Sequence, residues 1–148
     1  MESYLKESGF IYAMAQNSGV IDHQTSPLRL PRFSMTGRYA ANDRFIEKVA
    51  MNTLKVTDFS TTQIVNDTQS LKLQIIDDRI NPESLQCFIQ GKETCKIKIE
   101  SEDPLIIVID PSGQLLSRRT LYTITAQSKI GNKWHWYSKL WVQSGIVE

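Results

Sequence analysis

Hydrophobic and polar residues alternate with a period of two over most of the chain after residue 53. Apolar residues occupy every second position in four segments, at 54–56, 71–75, 85–89 and 95–99. Such alternation is typical of strands that bury one face. The run at 105–109 is apolar on both faces and predicts a central strand. We expect a mainly β fold of about seven or eight strands, an antiparallel β-sandwich or barrel.

Two glycine-containing segments predict how neighbouring strands are joined. Gly91, within residues 90–93, predicts a hairpin between the strands at 85–89 and 95–99. Gly131-Asn132 is typical of a hairpin with a two-residue loop. Strands and helices do not alternate along the chain, so the pattern does not favour a doubly wound fold.

The first 52 residues lack a regular period. Pro27 and Pro31 favour extended backbone in the residues between them. Further on, four apolar residues recur at helical spacing: Phe45, Ile46, Val49 and Ala50. We therefore expect an N-terminal arm over 1–52, with one short helix at about 41–53, followed by an antiparallel β domain over 53–148.

Length and charge narrow the classes of protein to consider. The 148 residues match the usual size of one domain, and 41% of them are hydrophobic. The 17 Lys and Arg nearly balance the 16 Asp and Glu, so no strong global field attracts nucleic acid or anionic lipid. No apolar segment is long enough to span a bilayer, and the N-terminus does not resemble a signal peptide. We expect a soluble protein in the cytoplasm or elsewhere inside the producing cell, or a mature chain that has already been processed.

The two cysteines, Cys87 and Cys95, are too few for a disulfide scaffold. If residues 90–92 form a three-residue hairpin loop, the two side chains face each other. A two-residue loop shifts the register and separates them. We expect two buried free thiols, kept reduced in the cytoplasm.

The sequence contains none of the common local signatures of catalysis. The G-x-S-x-G, G-x-x-x-x-G-K-S/T, G-x-G-x-x-G and H-E-x-x-H patterns are all absent. Asp77 and Asp78 are expected to cap a turn, and His135 to be a half-exposed strand residue. We therefore predict no enzymatic activity, no cofactor and no metal site.

Arginine and aromatic residues interleave in the N-terminal arm. Between residues 28 and 45 the chain carries one acidic residue, Asp43, and this set: Arg29, Arg32, Phe33, Arg38, Tyr39, Arg44 and Phe45. Such a segment can dock on an acidic protein groove, pack on its own domain, or hold phosphates and stack on bases. The balanced total charge makes nucleic acid the weaker of these alternatives.

All three tryptophans lie in the last predicted strand, at 134–141. One face of this strand carries Trp134, Trp136, Ser138, Leu140 and Val142, and the other carries His135, Tyr137, Lys139 and Trp141. We expect the first face to be core. The second has more aromatic surface than a solvated face needs, so it predicts either a contact surface or a surface that residues 1–52 cover.

These patterns favour a structural or adaptor subunit of a larger assembly, bound to protein partners or to further copies of itself. The residues predicted to contact the partner are Arg29, Arg32, Phe33, Arg38 and Tyr39, with Tyr137 and Trp141 as a second patch. One alternative is a nucleic-acid-binding module that uses the arginines of the arm. The other is a small-ligand binder or enzyme whose site lies in a barrel mouth.

Overall fold

The computed structural model describes residues 2–37, 40–60, 64–65, 69–111, 113 and 117–144. As predicted, the fold is mainly β, with two sheets packed as a sandwich. The described part contains nine strands: β1 (Asn52–Thr53), β2 (Val56–Asp58), β3 (Ile64–Val65), β4 (Leu71–Ile75), β5 (Gln86–Ile89), β6 (Ile97–Glu102), β7 (Leu105–Ile109), β8 (Arg119–Gln127) and β9 (Trp134–Gln143). Two α-helices precede them, α1 (Glu2–Glu7) and α2 (Asn42–Val49). Among the described residues, no helix is long and apolar enough to cross a membrane.

One sheet is built around the two longest strands. β9 pairs antiparallel with β8 along its whole length, and β8 pairs in turn with β5. On its other edge β9 pairs with β1 near one end and with β3 near the other, both in parallel. These two parallel pairings depart from the fully antiparallel arrangement that we expected. They arise because β1 and β3 lie on the same edge of β9 and run in the same direction. Between them, the chain crosses to the second sheet and contributes β2.

The second sheet is antiparallel throughout, in the order β2-β4-β7-β6. β7, the apolar run at 105–109, lies between β4 and β6, as its composition predicted. The alternation in β4 also has the expected outcome, since Leu71, Leu73 and Ile75 are buried. Together with Tyr122 and Ile124 of β8, they form the interior of the sandwich.

The predicted hairpin over residues 90–93 is wrong. β5 and β6 belong to different sheets, so the chain crosses from one sheet to the other between them. The expected free thiols are also wrong, because Cys87 and Cys95 form a disulfide with their Cα atoms 5.6 Å apart. This disulfide joins an edge strand of one sheet to the segment that leads into an edge strand of the other.

The hairpin between β8 and β9 is where Gly131-Asn132 predicted it. Its loop is longer than two residues, since the last strand pair is Gln127 with Trp134 and the Ser128 amide donates to the Lys133 carbonyl. Gly131 has a φ of 80°, which explains why a glycine suits this turn.

The two helices end for identifiable local reasons. Gly9, with a φ of 82°, ends α1 in a Schellman motif: its amide donates to the Lys6 carbonyl and the Phe10 amide donates to the Leu5 carbonyl. The predicted helix at 41–53 is shorter in the structure, because residues 52 and 53 pair with β9 as β1.

Candidate functional site

The N-terminal region packs on the outer face of β9, and Trp136 is the centre of that contact. The Trp136 indole N–H donates to the Ser18 carbonyl over 3.2 Å, and the Ser138 hydroxyl donates to the same oxygen. The ring of Phe33 meets the Trp136 ring edge to face, with centroids 5.1 Å apart. Aromatic pairs in this geometry are stabilising beyond their buried area. The segment from Ser18 to Phe33 is thus held on the sheet at both ends.

Lys48, in the last turn of α2, connects the helix to this aromatic pair. Its ammonium lies 4.7 Å from the Trp136 ring centroid and 5.3 Å from that of Phe33. The same ammonium is 3.6 Å from the Glu47 carboxylate. A cation in the last turn also complements the helix dipole. The contact positions α2 beside the sheet without burying any residue of the helix.

The opposite face of β9 forms part of the core, so the expected assignment of the two faces is wrong. Trp141 is 3% exposed and packs on Tyr122, and Tyr137 packs against the same core. Polar residues are tolerated on this inner face because they have partners. Tyr137 Oη and Lys139 Nζ both donate to Asp58 Oδ2, over 2.8 and 2.7 Å.

This partly buried cluster shifts two pKa values in opposite directions. Burial opposes ionisation of Asp58, but the hydrogen bonds from Lys139, Ser60 and Tyr137 outweigh it and lower the pKa of the carboxyl. Burial and the neighbouring Asp58 charge raise the pKa of the Tyr137 hydroxyl. Asp58 is therefore a carboxylate that ties β2 of one sheet to β9 of the other.

The residues predicted to contact a partner lie in different environments. Arg29 and Arg32 are exposed, whereas Phe33 is half-buried against Trp136. Trp141 is buried in the core, and Tyr137 is half-buried and packs against it. Arg38 and Tyr39, the remaining two, lie outside the described residues.

The sequence analysis missed an exposed apolar surface, which is one side of α2. Phe45, Ile46 and Val49 are 54%, 60% and 69% exposed. In the sequence, their helical spacing predicts the helix. The spacing is also the signal that could have identified this surface, because a short amphipathic helix needs something to cover its apolar side.

A cleft of about 390 Å³ lies where the N-terminal region meets the edge of β9. Its walls carry both signs of charge, with Arg29 and Lys139 facing the same space as Glu2 and Asp58. Since Lys139 and Asp58 already neutralise each other, the cleft presents no strong preference for one sign of ligand charge. Within the described ranges, no group of three His, Cys, Asp or Glu side chains could hold a metal ion.

A second polar cluster lies near the beginning of β9, around His135. The imidazole is 1% exposed, so the predicted half-exposed position is wrong. Its Nδ1 lies 3.0 Å from Asp77 Oδ2, and its Nε2 lies 3.0 Å from Ser128 Oγ. Arg79 donates from Nε and Nη2 to the two Asp77 oxygens, each over 2.8 Å. The expected turn capping by Asp77 is present as well, since its carboxylate accepts the Arg79 amide.

The electrostatics of this cluster keep Asp77 ionised. Burial opposes ionisation, but the hydrogen bonds from the Arg79 side chain and from the Lys55 and Arg79 amides outweigh it, with a further contribution from His135. They hold the pKa of Asp77 well below its usual range. Asp77 is thus a buried carboxylate that lies between the exposed guanidinium of Arg79 and the buried imidazole of His135.

Comparison of the chain with models of protein families, with curated proteins and with solved structures found no match. Its function is therefore inferred from the exposed surface of the N-terminal region and from the polar clusters described above.

Proposed function

We propose that this chain is a structural or adaptor subunit that docks on a protein partner through its N-terminal region. The observation that carries this proposal is where apolar side chains remain exposed. Of the fifteen large apolar side chains exposed in the described part of the chain, nine lie before residue 50: Tyr4, Phe10, Ile11, Tyr12, Met14, Ile21, Phe45, Ile46 and Val49. Concentrated apolar surface of this kind is typical of an interaction site.

The apolar side of α2 is the best-defined part of this surface. Ile46 and Val49 are three positions apart, so their side chains lie on one side of the helix. An eight-residue helix is marginal by itself in water, and none of its residues is buried in the chain. Burying one such side chain stabilises by about 1.5–3 kcal/mol before the entropic cost of association. An apolar groove on a partner would therefore stabilise both the helix and the complex.

The charge of this region supports a partner with an acidic surface. Residues 28–45 carry four arginines and one acidic residue, and Arg29 and Arg32 are exposed. Arg44 already has an intramolecular partner, since its Nη1 is 3.1 Å from the Glu47 carboxylate. Arg29 and Arg32 would match carboxylates on the rim of the partner groove, where they favour rate and orientation of docking more than affinity.

The anchor at Trp136 reduces the entropic cost of docking. Because Ser18 and Phe33 are fixed to β9, the partner does not have to order this part of the arm. Preorganisation of this kind improves affinity by reducing the freedom lost on binding. α1, residues 10–14 and α2 are the parts that remain displayed for contact.

The disulfide suggests where such an assembly works. Disulfides persist in oxidising compartments and are rare in reducing cytosol. We therefore propose an oxidising working environment in place of the cytoplasmic one expected from the sequence. Blocking free thiols with an alkylating reagent as cells are broken, followed by mass measurement, should leave Cys87 and Cys95 unmodified.

The experiment that tests docking changes the apolar side of α2 and leaves the sandwich intact. In Ile46→Ser/Val49→Ser, both changed positions are exposed, so the unfolding transition should match that of the wild type. The wild-type chain is used to capture its partner from the producing cells, and binding is then measured between purified components. We expect the double variant to weaken binding at least tenfold, because each side chain would lose its burial.

A control double variant changes two exposed apolar residues of the sandwich. Ile99 in β6 and Ile130 in the β8–β9 hairpin are 54% and 91% exposed. Ile99→Ser/Ile130→Ser should bind like the wild type. Equal losses in both double variants would contradict docking through α2. Concentration-dependent self-association seen by sedimentation would identify a second copy as the occupant. Salt-sensitive oligonucleotide binding through Arg29 and Arg32 would favour the nucleic-acid alternative.

A further inference from the structure

The cluster around His135 contains a serine, a histidine and an aspartate hydrogen-bonded in the order found at activated serine nucleophiles. Ser128 Oγ, the His135 imidazole and the Asp77 carboxylate form a chain with two contacts of 3.0 Å. Ser128 and His135 are 7 positions apart across the β8–β9 hairpin, whereas Asp77 is 58 positions from His135. This separation explains why no local motif announces the arrangement.

The tautomer of His135 follows from its partners. An ionised Asp77 can only accept hydrogen bonds, so the neutral imidazole carries its proton on Nδ1. Nε2 then has a free lone pair and accepts a hydrogen bond from the Ser128 hydroxyl. Arg79 binds both oxygens of Asp77, which holds the carboxylate in this orientation. These contacts set the ring orientation and the tautomer that a general base requires.

Ser128 differs from its two partners in being accessible. His135 and the Asp77 side chain are each 1% exposed, whereas Ser128 is only half-buried. It stands at the entrance to the β8–β9 hairpin, where Lys129 and Lys133 are exposed. Ser128 is therefore the member of the cluster that solvent can approach, and the two lysines favour a small molecule that carries negative charge.

We propose that Ser128 is a nucleophile that accepts an acyl group from anionic carboxylic esters, with His135 as its general base. Ser128 Oγ attacks the ester carbonyl carbon while its proton passes to His135 Nε2. The new Oγ–C bond forms, the ester C–O bond breaks, and the leaving oxygen takes the proton back from His135. Water then hydrolyses the acyl-serine by the same proton transfers. Asp77 and Arg79 are positioning residues, since they act through His135.

The backbone around Ser128 narrows the substrate class further. The amides of Ser128 and Lys129 donate to the carbonyls of Lys133 and Arg79, over 2.9 and 2.7 Å. They are not available as oxyanion donors, each of which is worth about a hundredfold to a thousandfold in rate. We therefore expect reaction with activated esters that have good leaving groups, and no hydrolysis of peptide amides. This activity is independent of docking through the N-terminal region.

The test is covalent labelling of the full chain with a fluorophosphonate, read by peptide mass spectrometry. In this reaction Ser128 Oγ forms a bond to phosphorus, fluoride leaves, and His135 takes the hydroxyl proton. We expect one adduct, at Ser128, that is absent from Ser128→Ala and from urea-unfolded wild type. Ser117→Ala is the control, and its Ser128 should be labelled as in the wild type. Among the described residues, the Ser117 hydroxyl donates to the Arg119 carbonyl and has no contact with a histidine that could activate it.

His135→Gln separates activation from mere exposure of the hydroxyl. We expect labelling of this variant to slow by about a hundredfold or more, since it lacks the base. Circular dichroism of each variant establishes that it is folded. In parallel, the para-nitrophenyl monoester of glutaric acid, which carries a carboxylate, should react faster than para-nitrophenyl acetate. Folded wild type with no adduct at Ser128 would overturn the proposal without any variant. Equal labelling of folded His135→Gln would overturn the role of His135.

Discussion

Removing the Cys87–Cys95 disulfide should lower the free energy of unfolding by about 2.5 kcal/mol. The two cysteines are 8 positions apart, so the bond closes a short loop in the unfolded chain. Releasing a loop of this size restores chain entropy to the unfolded state worth about 2.5 kcal/mol at 25 °C. The bond also connects the edges of the two sheets, where the chain passes from β5 to β6. Its loss should therefore loosen the sandwich at that edge first.

The assay is urea unfolding of the wild type and of Cys87→Ser/Cys95→Ser, with and without a phosphine reductant. We expect the reductant to destabilise the wild type to the level of the double variant and to leave the double variant unchanged. The m-value is expected to rise in the reduced chain, because an uncrosslinked unfolded state exposes more surface. A wild type that is indifferent to the reductant would refute the reasoning. An oxidised-chain mass corresponding to two free thiols would refute the disulfide itself.

Three other perturbations test the core, the His135 cluster and the arm contact. Leu73→Ala should lower the unfolding free energy by about 3 kcal/mol, since Leu73 is fully buried, whereas Ile130→Ala should change it by less than about 0.5 kcal/mol in the same urea assay. The lowered pKa of Asp77 stabilises the fold above the ordinary aspartate value of 3.8, and this contribution is lost as the pH falls below it. Asp77→Asn should therefore be less stable at neutral pH and show a shallower loss on acidification, as followed by thermal melts; an unchanged slope would contradict the assignment. Trp136→Ala should raise hydrogen exchange in residues 18–33 and leave β8 protected, because it removes the contacts to Ser18 and Phe33.

The β content could be predicted because alternation reports burial directly. In β4 every second residue is buried, so the period of two was sufficient to define the strand and its inner face. β7 is apolar on both faces and lies inside its sheet, again as its composition indicates. In both strands the polarity of each side chain matches its position in the sheet. The local sequence pattern is therefore a reliable guide to strand position and burial there.

The partner of each strand could not be predicted in the same way. The segments 85–89 and 95–99 have the same alternation whether they pair with each other or belong to different sheets. Only long-range packing determines the pairing, and in the structure β5 pairs with β8 and β6 pairs with β7. The cysteines are neighbours for a different reason from the one expected, since the disulfide bridges two sheets instead of two strands of one hairpin.

The inner face of β9 shows a second limit of reading from pattern. The sequence analysis assigned the other face of β9 to the core, and polar or charged residues such as His135 and Lys139 are seldom buried. They are buried because Asp77 and Asp58, from distant parts of the chain, provide their hydrogen-bond partners. The same long-range pairing created the Ser128–His135–Asp77 cluster, which had no signature in the sequence.

The most direct test of the docking proposal is site-specific photo-crosslinking in the cells that produce the chain. A photoreactive amino acid replaces Ile46 on α2 or, as the matched control, Ile99 on β6, which are 60% and 54% exposed. Docking through the N-terminal region predicts one discrete heavier adduct from position 46 that contains a different protein, and none from position 99. No adduct from position 46, or the same adducts from both positions, would contradict it.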